Sequence, residues 1–135
     1  MRIRRLAIAA LPVAVAASGG TMALTQAAHA ANTLPSVVKT GSCSKGSIYS
    51  LQVQREDTGK ISVDWGVDMA KPVAGVKWAV HETQNGTTFV NQVVPTISDG
   101  SWSITRTVNP QRTNVFTATA KNPATGETCS ATVRL

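Results

Sequence analysis

Residues 61–68 read Ile-Ser-Val-Asp-Trp-Gly-Val-Asp, apolar and polar in strict turn. Side chains of a β-strand point to opposite faces with a period of two, so this run fits a strand with one dry and one wet face and fits no helix. The alternation recurs along the chain. Tyr49, Leu51 and Val53 share a face within 47–56, and Val76, Trp78 and Val80 within 76–83. Trp102, Ile104 and Val108 do so within 101–108, and Phe116, Ala118 and Ala120 within 115–121. Cys129, Ala131, Val133 and Leu135 line one face of 127–135, and a further strand is predicted over 87–94, ended by Pro95. Arg106 falls on the apolar side of its strand, where the rim suits it, with the stem buried and the head in water.

A turn signal fills each gap. Asp57-Thr58-Gly59-Lys60, Ser98-Asp99-Gly100 and 122–126 are rich in Gly, Asp and Asn, and Asn85-Gly86 between two alternating runs is a strong hairpin signal. Seven short antiparallel strands in about 100 residues predict an all-β sandwich of immunoglobulin or fibronectin-III type, with a small closed β-barrel as the alternative. The domain is expected to span 43–135. Residues 31–42 read as a flexible lead-in, with a short edge strand at Pro35–Lys39.

The first thirty residues differ in kind. Arg2, Arg4 and Arg5 form a basic head, 6–17 are apolar except for Pro12, and Ala28-His29-Ala30 closes the segment. These are the parts of a secretory signal peptide, with cleavage expected after Ala30 and after Ala31 as second choice. The apolar run is shorter than the ~20 residues a membrane-spanning helix needs, so no transmembrane segment is expected after cleavage. Export predicts a secreted, extracellular protein. Ten of the 13 Lys and Arg and all seven Asp and Glu lie beyond residue 30, so the exported part carries a net charge near +3. Its cations are scattered singly. Nucleic-acid binding calls for a basic stripe along a groove or helix, and that function is excluded; a weak attraction to anionic cell-wall polymers stays open.

Two cysteines in an exported chain predict one disulfide, Cys43–Cys129, enclosing most of the domain. The pair lacks the C-x-x-C spacing of a redox site.

Chemistry finds little to work with. His81 is the single histidine beyond the signal, on the predicted wet face of its strand, and no G-x-S-x-G elbow accompanies it. One His and two paired Cys build no zinc site, and no EF-hand loop is present. Asp64 and Asp68 point the same way on their strand and read as surface carboxylates. No catalytic residue, metal site or cofactor is expected. Trp65 and Trp78 read as core. Trp102, at a strand start beside a glycine turn, is expected to be partly exposed and is one weak candidate for binding. Asn85-Gly86-Thr87 matches a glycosylation sequon, which the hairpin already explains.

The assembled pattern comprises an alanine-rich export signal, Cys43, Ile61-x-Val63-Asp64, Gly75-x-x-Trp78-x-Val80, Asn85-Gly86-Thr87, Phe116-x-Ala118-x-Ala120-x-Asn122-Pro123 and Thr125-Gly126-Glu127-Thr128-Cys129. It resembles a group of short secreted actinomycete proteins of unknown function. The resemblance spans nearly all of the exported part and rests on turn and core residues. It implies export and a single-disulfide all-β fold, and brings no activity with it.

Two function classes follow. The first is a secreted non-catalytic binding or interaction module, its partner a cell-wall polymer or an extracellular protein, with contacts from the loops Met69–Gly75, Pro95–Gly100 and Asn109–Asn114. The alternative is an extracellular protease inhibitor or other enzyme-directed protein. An inhibitor needs a stiff exposed loop; 109–114 is the best candidate, with Arg112 as the specificity residue.

Overall fold

Eight strands form among the described residues: the seven that alternation marks, preceded by an edge strand longer than the one expected at Pro35–Lys39. In the computed structural model, which describes residues 33–135, β1 (Ser36–Ser42) pairs antiparallel along its whole length with β2 (Ile48–Arg55). Its inward positions carry Val37, Lys39 and Gly41, so no apolar stripe marks it. The backbone ladder to β2 holds it instead. The short edge strand expected at Pro35–Lys39 is thus found and runs on to Ser42, so the stretch from Ser36 is strand and not flexible lead-in. Ala31, the signal over 1–30 and its cleavage at Ala30 or Ala31 lie outside the described residues.

The remaining strands are β3 (Ile61–Asp68), β4 (Lys77–Gln84), β5 (Thr87–Pro95), β6 (Ser101–Val108), β7 (Val115–Lys121) and β8 (Thr128–Arg134). They make two four-stranded sheets, β1-β2-β3-β6 and β5-β4-β7-β8, every pairing antiparallel. The sheets stay separate and face each other as a β-sandwich, which removes the closed barrel. Asn85 (φ 50°) and Gly86 (φ 81°) both take positive φ in the two-residue turn from β4 to β5, the geometry such a tight hairpin demands.

The dry interior is where period-two spacing places it. Leu51, Val53, Ile61, Val63 and Trp65 of the first sheet meet Trp78, Val80, Phe116 and Ala118 of the second, all essentially inaccessible to water. Aromatic rings run across the gap: Tyr49 to Trp65 at 5.5 Å, Trp65 to Trp102 at 6.2 Å and Trp102 to Trp78 at 6.2 Å between centroids. Trp102 is thus a core residue, 3% exposed, and its expected exposure is corrected. Parity turns it inward against Trp65 and Trp78, and the 69–75 loop closes on Gly100, just before its strand. Met69 packs against the core and its N–H donates to the Gly100 carbonyl at 3.1 Å. Gly100 has φ 76°, and a Cβ there would stand 2.5 Å from Pro72 Cα. Only glycine lets the loop settle so closely over the start of β6.

The two open edges of the sandwich are closed differently. Beside β1 and β8, Cys43 is bonded to Cys129 with Cα atoms 4.5 Å apart. Closing a loop of 86 residues is worth about 4–5 kcal/mol by chain entropy. Beside β5 and β6, Arg106 donates from Nη2 to Gln92 Oε1 at 2.9 Å, its head exposed as the rim position requires.

Candidate functional site

Strand direction sorts the loops to two ends. One end, called upper here, gathers 56–60, the 85–86 turn and 109–114; the lower end gathers 43–47, 69–76, 96–100 and 122–127. Two of the three predicted contact loops, Met69–Gly75 and Pro95–Gly100, therefore share the lower end, while Asn109–Asn114 stands alone at the upper end.

The lower pair is locked. Thr96, buried, donates through Oγ1 to the Val73 carbonyl at 2.5 Å and accepts from Val76 N–H at 2.9 Å. Gly75 N–H donates to the Thr96 carbonyl at 2.9 Å. Behind them, Glu127 ties the 43–47 turn to the β7–β8 turn. Its Oε2 accepts from the N–H groups of Lys45 and Ser47, each at 3.0 Å, and its Oε1 from Ser47 Oγ at 2.6 Å.

The 109–114 loop has six residues without regular structure, yet side chains from two other segments hold it. Asn114 is buried; its Oδ1 accepts from Gln111 N–H at 2.9 Å and from Gln84 Nε2 at 3.0 Å. Its Nδ2 donates to the Gln111 carbonyl at 3.1 Å. Gln84 Nε2 also donates to the Asn109 carbonyl at 2.9 Å, and Lys60 Nζ reaches Asn109 Oδ1. From the hairpin, Asn85 Nδ2 donates to Gln111 Oε1 at 2.8 Å and to the Thr113 carbonyl at 2.6 Å, while its Oδ1 accepts from Val115 N–H at 2.8 Å. Gln111 and Thr113 are both tied. Arg112 between them is exposed, and its side chain makes no hydrogen bond among the described residues. Fixed backbone beneath a free guanidinium lowers the ordering cost of a contact and offers a forked, five-donor group to a carboxylate.

Other polar residues fall where alternation puts them. His81 is exposed on the outer face of β4, with Nε2 and Thr88 Oγ1 3.0 Å apart. Asp64 accepts from Thr105 Oγ1 at 3.2 Å on the outer face of the other sheet. Among the described residues no three His, Cys, Asp or Glu gather as metal ligands, and no helix is long and apolar enough to cross a membrane.

One ionisable residue escaped the sequence reading. Glu82 follows Trp78 and Val80 on the inward parity of β4 and is 1% exposed, with neither carboxylate oxygen hydrogen-bonded. Burial pushes its pKa up from 4.5 to about 7; Arg106 opposes the rise and Asp64 adds to it. The signal lay in the parity itself: position 82 continues an inward series whatever residue occupies it.

Comparison with known protein families, with curated proteins and with solved structures finds no match to this chain.

Proposed function

We propose that the chain is an exported, non-catalytic binding module that meets its partner through the braced 109–114 loop. The observation that carries this reading is the side-chain scaffold from Gln84, Asn85 and Asn114, which fixes Gln111 and Thr113 and leaves Arg112 free. The basic, apolar and A-x-A segments at the N-terminus support export. The disulfide is compatible with an oxidising compartment. Strand order supports an immunoglobulin- or fibronectin-III-like ancestry of form. With β4, β7 and β8 taken as strands C, F and G and β5 as C′, one sheet has the variable-type order; β2, β3 and β6 then stand as A, B and E, and β1 is an added edge. The test is retention of extracellular proteins and of purified cell walls, chitin and cellulose on immobilised protein, wild type against Arg112→Ala. Loss of one retained partner in the variant supports the loop. Identical retention by both proteins, or hydrolysis of any bound substrate by pure protein, refutes the reading.

A second reading, protease inhibition, is favoured by the same exposed arginine on a stiff loop. Trypsin-like enzymes select Arg and Lys through a carboxylate in the specificity pocket. Stoichiometric inhibition of trypsin that vanishes in Arg112→Ala would establish it. Ready cleavage after Arg112 with no inhibition would refute it.

A further inference from the structure

The two outer faces of the sandwich carry opposite charge. Outward positions of β1, β2, β3 and β6 hold Asp64 and Asp68 and no Lys or Arg; those of β5, β4, β7 and β8 hold Lys77, Lys121 and Arg134 with His81, and no Asp or Glu. Seven acidic residues are available beyond the signal, so the exclusion of all of them from one face is a property of where strand parity puts them.

That basic face is hollowed. Register sets His81 beside Asn91 and Thr119, and Thr119 beside Ser130; the next row sets Ala79 beside Lys121, and Lys121 beside Thr128. Small Ala79 at the centre and larger side chains around it leave a trough of about 360 Å³, open to solvent. Its volume lies at the lower end of ligand sites, roughly 300–1,000 Å³. The side chains of Asn91, Lys121, Thr128 and Ser130 make no hydrogen bond within the described residues, so their donors and acceptors are available. Lys77 stands two residues before Ala79 on the same face.

The chemistry of this lining is selective. It has hydroxyls, an amide, the Lys121 ammonium and the His81 imidazole, but no indole, phenol or phenyl ring: Trp65, Trp78 and Trp102 are all buried. A neutral sugar or an unpaired base finds no broad indole or phenol platform there, only the small imidazole of His81, whose Nε2 lies 3.0 Å from Thr88 Oγ1. A chain that alternates hydroxyls with phosphates finds both partners, cations for the phosphates and Thr, Ser and Asn for the hydroxyls. We propose that the trough on β4, β7 and β8 binds an anionic polyol-phosphate polymer, with Lys121 and Lys77 meeting its phosphates. This surface lies apart from the 109–114 loop and does not depend on the reading given to Arg112.

The probe is poly(glycerol phosphate), with uncharged dextran beside it, and the protein is expressed from the full-length chain. Affinity is measured at about 50 mM and about 200 mM salt, where surface charge pairs weaken. Lys121→Ala and Ala79→Trp, the second filling the trough from an exposed position, are each expected to weaken binding about tenfold or more. Arg55→Ala removes the same charge at the end of β2, in the other sheet, and should leave affinity within about twofold of wild type. Retained near-ultraviolet circular dichroism verifies that each variant is folded. Four results would overturn the proposal: no binding of the polymer by wild type; equal loss in Arg55→Ala and Lys121→Ala, which would mean overall charge only; unchanged affinity in Ala79→Trp; or equal binding of dextran. Failure of the loop reading would show instead in the Arg112→Ala retention experiment, which this one does not touch.

Discussion

Glu127 and Glu82 are both less than 5% exposed and both belong to the same half of the sandwich, yet they do opposite things. Glu127 sits beside the disulfide edge and accepts three hydrogen bonds from Lys45 and Ser47. Glu82 sits in the strand next to the opposite edge and accepts none. Burial is common to the two, so donors decide the difference. A carboxylate that receives them becomes a clasp between turns 80 to 82 residues apart in sequence. One that receives none is left to hold its proton, with its pKa raised to about 7.

The contrast is broken most directly at the clasp. Glu127→Ala leaves two buried or half-buried N–H groups and a hydroxyl without their acceptor, and is expected to cost about 3 kcal/mol by denaturant unfolding at pH 7. A loss under about 1 kcal/mol would mean that water replaces the carboxylate and the clasp holds little.

The second prediction concerns pH. Below pH 4.5 the Glu82 carboxyl is protonated in both folded and unfolded chains. Between there and about 7 the folded protein keeps a proton that the unfolded chain releases, so stability falls as pH rises, and above about 7 the loss is complete. The expected decline from pH 5 to pH 8 is about 2 kcal/mol, reduced from the full linkage value because solvent and Arg106 lie near the open edge. Glu82→Gln should flatten that slope. An unchanged slope in the variant would assign the pH dependence to other groups.

The smallest effect is at Arg106. Arg106→Ala should cost about 1 kcal/mol at pH 8, where Glu82 is ionised and loses the opposing positive charge, and almost nothing at pH 5. Equal losses at both pH values would show that the residue matters through Gln92 alone.

The same contrast marks how far the sequence could be read. Alternation names β3, β6 and β7 residue for residue: β3 and β7 present their apolar positions without interruption, and β6 is broken only by Arg106 at the rim. It reads β1 only as a short edge strand at Pro35–Lys39, since inward Lys39 and Gly41 break the stripe, and it stops reading β4 inward at Val80, where a glutamate takes the next core place. Trp102 is deeper than expected because it meets Trp78 of the other sheet and the 69–75 loop closes on Gly100 before it, and spacing within a strand says nothing about what folds across its end. The loop 109–114 was legible as a loop with an exposed arginine. Its stiffness was not, since that depends on Asn85 and Gln84 about thirty residues away finding Asn114 and Gln111. The trough was hidden for a like reason: it exists only once β4, β7 and β8 lie side by side, an order that turn signals do not encode.

Asn85 stands where two demands meet. Its amide nitrogen donates to Gln111 and Thr113, and it opens the Asn85-Gly86-Thr87 sequon. Attachment of a glycan would consume one of that nitrogen's two protons, and hydrolysis of the amide would put a repelling oxygen in its place. In either case the neighbouring peptide segment would be released from its mooring while the sheets below kept their shape. Loop order and domain integrity are thereby separable by covalent change at a single surface atom.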